Sequence, residues 1–343
     1  MIVCACFFTE NGKLLLSRLK SKMPEITWLV RNADENLKDW AKFAFDRHLP
    51  LLFIGAAGIA VRTIADFVSS KLEDSPVLVM DEKGQFVIPL LSGHVGGANE
   101  LAALISSRIN ARNVVTTATD VEQKFAVDVF AKNNGLKIVN KDGIKQISAK
   151  VLKNEKLTVW VNPEICIKDK NVPECLSLIM EKTKPAYADI LIDLPRSVQL
   201  KEKDCTLLLV PRLYCAGIGC KKGKSFEDLR TFLEANFNKT ELLYAVSSID
   251  LKQNEIGLMT LAQYYHLPFV TFSTEELKLA QGSFSESEFV EKTTGVSNVC
   301  ERAAVLCAGA GAGLVLAKTA QDGMTLAVAE RKPLIADWGG HLK

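Results

Sequence analysis

Short apolar runs alternate with amphipathic stretches along most of this chain. Leu51-Leu-Phe-Ile54, Pro76-Val-Leu-Val-Met80 and Phe86-Val-Ile-Pro-Leu-Leu91 are compact and bounded by turn residues, the pattern of buried strands. The opening Met1 to Glu10 reads as a first strand that ends at an Asn11-Gly12 turn. Gly55-Ala-Ala-Gly58 reads as a tight turn into a helix over 59–68, with Val61, Ile64, Ala65 and Val68 inward. Ala98, Leu101, Ala102, Ile105 and Ile109 share one face at helical spacing, so a helix follows the glycines after Leu91. Asn113 to Asp120 reads as a strand running into a hydroxyl-rich loop.

Beyond Lys137 the charge density rises, and Leu157 to Val161 and Ala188 to Asp193 are the clear strands. The run from Leu207 to Gly219 is apolar but broken, and Ser225-Phe-Glu-Asp228 has capping-box spacing for a helix through Phe237. A strand at 242–246, a helix at 256–265 and a strand at 268–272 follow; Ser273 caps another helix, and Thr325 to Ala329 closes as a strand. This alternation predicts an α/β protein: two α/β domains with largely parallel sheets plus a small α+β middle region. The expected boundaries are 1–136, 137–204 (with a linker over 195–204) and 205–343.

Composition narrows the class. Of 343 residues 48% are hydrophobic and 24% charged, which rules out a disordered or fibrous chain. The 42 basic and 40 acidic side chains leave a net charge of +2, so bulk binding to nucleic acid or to an anionic membrane is not expected. The apolar runs at 51–61 and 305–317 are too short to span a bilayer, and the first residues lack a signal-peptide pattern. The expectation is a cytoplasmic protein. Its nine cysteines are scattered without a C-x-x-C pair, which fits reduced thiols; Cys4 and Cys6, on one face of a strand, read as small buried hydrophobes. No protein metal site is expected.

Candidate chemistry gathers at strand ends. Ser92-Gly-His-Val-Gly-Gly-Ala-Asn-Glu100 places Ser92, Gly93, His94, Gly96 and Gly97 between a strand and a helix that starts with Asn99 and Glu100. Free N–H groups at such a helix start favour an anion such as a carboxylate; the plainer reading is a strand-to-helix turn with a solvated histidine. Gly55 and Gly58 deliver a second helix start, with Arg62 one turn in, placed either for carboxylate pairing or for an i,i+4 pair with Asp66. Thr116, Thr117, Thr119 and Asp120 form a third candidate end, or else β-branched filler with a capping Asp. Because ligands of open α/β sheets sit at carboxyl ends of strands, the three turns are expected to line one crevice.

In the last third, Gly217, Gly219, Cys220, Lys221 and Lys222 form a basic glycine loop, with Lys252, Glu255 and Glu301 as further candidates. The plainer readings are a helix-start pair for Lys252 and Glu255 and a first-turn acid for Glu301. Gly309-x-Gly-x-Gly313 does not follow a strand, so a dinucleotide site there is ranked last. His48, His266 and His341 read as isolated.

Three stretches of the first half, at 53–62, 89–101 and 116–120, and three of the second, at 217–223, 248–258 and 295–304, resemble the cobalamin-biosynthesis protein G family, the cobalt-precorrin-5A hydrolases. Ser-Gly-His-x-Gly-Gly-Ala-Asn-Glu is the most specific of them. The resemblance implies opening of the ring A δ-lactone of cobalt-precorrin-5A and release of C20 with its methyl as acetaldehyde, leaving cobalt-precorrin-5B. It also implies a small-molecule corrinoid substrate that carries the cobalt itself, no further cofactor, and transient contact with neighbouring pathway enzymes. For such chemistry His94 is the candidate general base or acid and Glu100 a partner that shares or orients it. Gly96 and Gly97 N–H groups are candidate oxyanion donors, and Arg62, Lys221, Lys222 and Lys252 candidate partners of substrate carboxylates. A non-catalytic tetrapyrrole carrier is the alternative.

Overall fold

The computed structural model describes residues 1–70, 73–94, 96–116, 124–195 and 204–338. They divide into two compact units: Met1–Thr117 with Lys222–Arg230 and Asn254–Phe269, and Ala118–Lys221 with Thr231–Gln253 and Val270–Lys343.

The first unit is built on β1 (Ile2–Phe7), α1 (Glu10–Lys22), β2 (Thr27–Val30), α2 (Leu37–Phe45), β3 (Leu51–Ile54), α3 (Ala57–Ile64), β4 (Val77–Met80), β5 (Phe86–Leu91), α4 (Ala98–Ile109) and β6 (Arg112–Asn113). Its sheet has the order β2-β1-β3-β4-β5-β6. Neighbours are parallel except β4 and β5, which are antiparallel. The two-residue period of the strands sorts the core into two layers. Val3, Ala5, Leu52, Ile54, Leu78 and Met80 pack under Leu15, Leu16 and Leu19 of α1 and Leu101, Ala102 and Ile105 of α4. Ile2, Cys4, Cys6, Leu51, Phe53 and Val79 face Trp40 and Ala44 of α2, Ala60 and Ile64 of α3, and Met259. Each Val, Leu, Ile, Phe or Met among them taken from water stabilises the fold by roughly 1.5–3 kcal/mol. Burial pushes the Cys4 and Cys6 thiols up to about 12, so they behave as the small hydrophobes expected of them.

Two local expectations fail here. Asn11 and Gly12 are not a turn but lie inside α1: the Thr9 hydroxyl accepts the Gly12 N–H, and this cap with Glu10 behind it starts a helix that buries Leu15, Leu16 and Leu19. In α3 the buried face is Ala60, Thr63 and Ile64, one residue round from the expected stripe. Val61 and Val68 are exposed, and the helix tightens into a 3₁₀ turn at Ala65–Phe67.

The middle of the chain supplies α5 (Val127–Asn133), β7 (Leu136–Ile138), α6 (Gly143–Leu152), β8 (Leu157–Val161), β9 (Cys166–Ile167), β10 (Leu176–Ile179), β11 (Ala188–Ile192) and β12 (Cys205–Pro211). Their sheet runs β10-β8-β11-β12-β7, parallel except for β7 against β12. It therefore takes in Cys205–Pro211, a strand the sequence places with the carboxy-terminal part. The broken apolar run from Leu207 is two strands of two sheets, parted at Arg212 and Leu213. Residues 196–203 of the expected linker lie outside the described residues.

The last part comprises β13 (Tyr214–Cys220), α7 (Phe226–Asn236), β14 (Leu243–Ile249), α8 (Ile256–Tyr264), β15 (Phe269–Phe272), α9 (Thr274–Lys278), α10 (Glu288–Thr294), α11 (Cys300–Ala308), β16 (Gly313–Gln321), β17 (Met324–Glu330) and β18 (Leu334–Ile335). The sheet order is β15-β14-β13-β17-β16, with β13 parallel to β14 and β17 antiparallel to both neighbours. Ser273 and Glu276 form the expected capping box, whereas β16 is a strand the sequence pattern hid behind its glycines. Gly309 to Gly313 thus lead from a helix into a strand, the reverse of the order a dinucleotide fingerprint needs. No helix among the described residues is long and apolar enough to cross a membrane.

Candidate functional site

The direction of β5 decides where its glycine turn lies. Leu91 pairs with Val77, which pairs with Leu51, so the carboxyl end of β5 meets the amino ends of β4 and β3. The Ser92–Gly97 turn therefore opens at that amino-terminal edge. Gly55–Gly58 leave Ile54 at the opposite edge, so among the described residues these two turns do not line one crevice. A β5 parallel to β4 would have brought the turns together; the tight Asp81–Gly84 turn, closed by the Gly84 N–H on the Asp81 carbonyl, reverses the chain instead. β6 runs with β5, so Val114 to Thr116 lead toward the Ser92 side. Thr117, Thr119 and Asp120 lie outside the described residues.

The Ser92 turn is closed on itself. Ser92 is buried with φ 54, and its hydroxyl donates to the Asp74 carbonyl at 2.7 Å. The Asp74 carboxylate, itself 4% exposed, accepts the Ser69 and Ser70 N–H groups and the Ser69 hydroxyl. At the start of α4 the Ala98 and Asn99 N–H groups donate back to the Ser92 and Gly93 carbonyls, and the Gly97 N–H donates to His94. The expectation of free N–H groups is thus corrected: the loop carbonyls take the Gly97, Ala98 and Asn99 donors that an anion or oxyanion would need. A Cβ at Gly96 would stand 2.6 Å from the Ser92 Cβ, and one at Gly93 2.7 Å from Asn99 Oδ1, so these glycines serve the closure of the loop. What the closed loop offers outward is half-buried His94, with Glu100 exposed in the first turn of α4.

Gly55–Gly58 make the contrasting turn. No side chain caps the start of α3, and the Arg62 guanidinium folds back so that a Cβ at Gly58 would lie 3.3 Å from its Nη1. Asp66 is paired with Lys38 at 2.8 Å, so the local Arg62–Asp66 pair is not the one formed. The strand order places this turn beside the end of β1, where parallel strands on either side are reached by helices on opposite faces. That is the topological switch point of a doubly wound sheet.

The carboxy-terminal candidates separate into two kinds. In the first unit Lys222 is exposed, and Glu255, which precedes α8, accepts the Gly223 N–H at 2.7 Å, tying the basic loop to that helix. In the second unit, Gly217 is required because a Cβ there would collide with the Cys300 carbonyl of α11, and one at Gly219 would stand 2.6 Å from Thr325 Oγ1. The aliphatic stem of Lys221 lies over Gly323; Cys220 and Lys252 are partly buried. Glu301 is 3% exposed, and its carboxylate accepts from Ser285, from Asn298 Nδ2 and from the Lys318 N–H. Gly217 and Glu301 therefore serve the packing and hydrogen bonding of the fold.

One pair escaped the sequence reading. His48 and His266, taken as isolated, stand with Nδ1 and Nε2 3.1 Å apart in the first unit, and Tyr264 stacks on His48 at 5.0 Å. The signal was present: His-Leu-Pro follows a helix at both 48–50 and 266–268. His341 lies outside the described residues. Gln263 clamps the backbone of Ile2, accepting its N–H at 2.7 Å and donating to its carbonyl at 3.0 Å. The end of the 254–269 segment thus lies at the amino-terminal edge of the first sheet, the edge at which the Ser92 turn opens. Among the described residues no three or more His, Cys, Asp or Glu side chains are grouped to hold a metal ion.

Comparison with known proteins finds three family segments along the chain. Residues 39–120 match the cobalamin synthesis G N-terminal family, 125–192 the cobalamin biosynthesis central region and 214–329 the cobalamin synthesis G C-terminus. A cobalt-precorrin-5A hydrolase of Salmonella typhimurium is 33% identical over 321 residues, 87% of this chain and 89% of that one. The chain belongs to the cobalamin synthesis G family. A second family member, the cobalt-precorrin-5A hydrolase of Priestia megaterium, is 31% identical over 83% of this chain and 79% of its own. A probable cobalt-precorrin-5A hydrolase of Methanocaldococcus jannaschii is 26% identical over 96% and 99%. The family segments do not coincide with the compact units, because residues 222–230 and 254–269 of the C-terminal match pack with the N-terminal one.

Proposed function

We propose that this chain is a cobalt-precorrin-5A hydrolase of cobalamin biosynthesis, working in the cytoplasm on a diffusible corrinoid. The observation that carries the reading is identity of 33% and 31%, over more than four fifths of the chain, to two relatives of that name. The reaction consumes one water: hydroxide adds to the ring A lactone carbonyl, and the ring ester bond breaks to leave a carboxylate and a hydroxyl on C20. That hydroxyl gives up its proton as the carbon–carbon bond holding C20 breaks, so that C20 with its methyl leaves as acetaldehyde and the macrocycle keeps the electron pair and takes the proton. The cobalt is part of the substrate, and no other cofactor enters.

We place the chemistry at the amino-terminal edge of the first sheet. His94 takes the proton from the attacking water and gives it to the C20 oxygen as the ester opens, and Glu100 orients it. The buried Ser92–Asp74 anchor fixes the loop that holds His94, so the imidazole is presented without a folding step. Lys222, on the loop that Glu255 ties to α8, pairs with a peripheral carboxylate of the substrate. Arg62 and the uncapped start of α3 form a second carboxylate station at the opposite edge.

The test is anaerobic incubation of purified protein with enzymatically generated cobalt-precorrin-5A, with acetaldehyde trapped and counted, beside His94→Ala. Stoichiometric release by the wild type is the expected result. Tight corrinoid binding with no release would replace the hydrolase with a carrier.

A further inference from the structure

His48 and His266 occupy the same slot in two copies of one turn. After α2 the His48 N–H bonds the Phe45 carbonyl and the Leu49 N–H the Ala44 carbonyl; after α8 the His266 N–H bonds Gln263 and the Leu267 N–H bonds Ala262. Both are Schellman closures, and both histidines have φ 53. Glycine or asparagine fills that left-handed position at least strain, so two histidines there call for a reason. Leu49 and Leu267 are buried behind them and a proline follows each. The outcome is that two helix ends of the first unit present their imidazoles to each other, rings 4.9 Å apart and 20° from parallel.

A hydrogen bond between two imidazoles needs one nitrogen with a lone pair and one with a proton. One added proton leaves the bond in place and strengthens it by charge; a second turns it into repulsion between two cations. Among the described residues, the groups that face His48 do not remove that constraint. Tyr264 stacks on His48 and its backbone hydrogen-bonds the ring; Glu73 and Asp74, ahead of β4, favour the charged form from a distance. Arg47, next in sequence, pairs with Glu227 on α7. Burial is the largest influence and holds the His48 pKa below its ordinary value despite those two carboxylates.

We propose that His48 and His266 are a pH-sensitive latch: they hold residues 254–269 on the first sheet while at least one ring is neutral, and release them when both are protonated. The latch positions the Glu255–Gly223 tie by holding α8, and it stands whatever the substrate is. The sign follows from the depressed His48 pKa. The neutral pair stabilises the docked segment above about pH 6.5, and that contribution is lost as pH falls below it.

Hydrogen exchange of the full chain, read by mass spectrometry and corrected for intrinsic rates, tests this at about pH 7.5 and about pH 5.5. Peptides covering 256–267 should lose protection by up to about tenfold at the lower pH while β3 keeps its own. His48→Asn and His266→Asn preserve the left-handed turn but not the pair, and should show low protection with no pH step. A wild type without the step, or the same step in both variants, overturns the latch. Proton NMR of the four histidines in the wild type provides a second reading that needs no variant. Two should titrate as a coupled pair, the second proton binding at least about tenfold more weakly than to a free imidazole; independent titration at ordinary values would also overturn it.

Discussion

Two glycine turns in the first unit look alike in sequence and do opposite things in space. Each follows an apolar strand and starts a helix, yet one leaves a strand that runs against its neighbour and the other a strand that runs with it. The Ser92 turn is knit into the protein by its own carbonyls and by Asp74, so its Gly97, Ala98 and Asn99 N–H groups are already taken, and half-buried His94 is the side chain it presents. Gly55–Gly58 is an uncapped helix start with a guanidinium folded over it. The first geometry suits chemistry by a fixed side chain; the second suits a carboxylate held by backbone and charge.

The largest effect expected from breaking this contrast is at His94. His94→Ala should lower kcat by roughly 10²–10⁴, the usual worth of a general acid or base, with little change in KM. Acetaldehyde release in steady state measures it, and near wild-type kcat would move the chemistry off the closed turn. Next in size is Gly96→Ala, whose Cβ would press on the Ser92 backbone and side chain at 2.6–2.8 Å. Overpacking of a closed loop costs about 1–3 kcal/mol, to be read as a lower midpoint in denaturant unfolding. An unchanged midpoint would show that the turn is looser than its hydrogen bonds imply.

How much of this could be read from the residues follows from which signals are local. Thr9 and Ser273 both cap helices, but Asn11-Gly12 downstream of Thr9 imitated a turn, and only the burial of Leu15, Leu16 and Leu19 decides for the helix. Period-2 alternation put Cys4 and Cys6 on one face correctly. Strand direction is not local: nothing in Phe86 to Leu91 says that it opposes β4, and that one reversal moved His94 to the other edge from Arg62. Glu301 was legible as a first-turn acid, which it is, and Gly217 as a special residue, but their partners Ser285, Asn298 and Cys300 were not, since these become neighbours only through tertiary packing. The His48–His266 pair was legible as a repeated His-Leu-Pro and in no other way.

Arg62→Ala should act on binding rather than on chemistry. Losing a charge-assisted contact to a substrate carboxylate predicts a KM raised about tenfold with kcat held. A fall in kcat with KM unchanged would place Arg62 in the reaction and merge the two turns functionally.

The smallest effect, and the sharpest contrast with Gly96→Ala, is expected at Gly58. A Cβ there meets only the far end of the Arg62 side chain at 3.3 Å, which can swing away, and the residue lies in the first turn of α3. Replacing a helical glycine by alanine removes unfolded-state freedom, so Gly58→Ala should leave stability unchanged or raise it by up to about 1 kcal/mol. The same chemical change thus has opposite signs in the two turns, because one Cβ meets backbone and the other a flexible tip. Substrate affinity adds the discriminating readout. If the Arg62 guanidinium must lie against Gly58 to hold a carboxylate, Gly58→Ala raises KM while stability holds or improves. If KM does not move, the guanidinium reaches its partner from elsewhere, and the uncapped helix start is idle in binding.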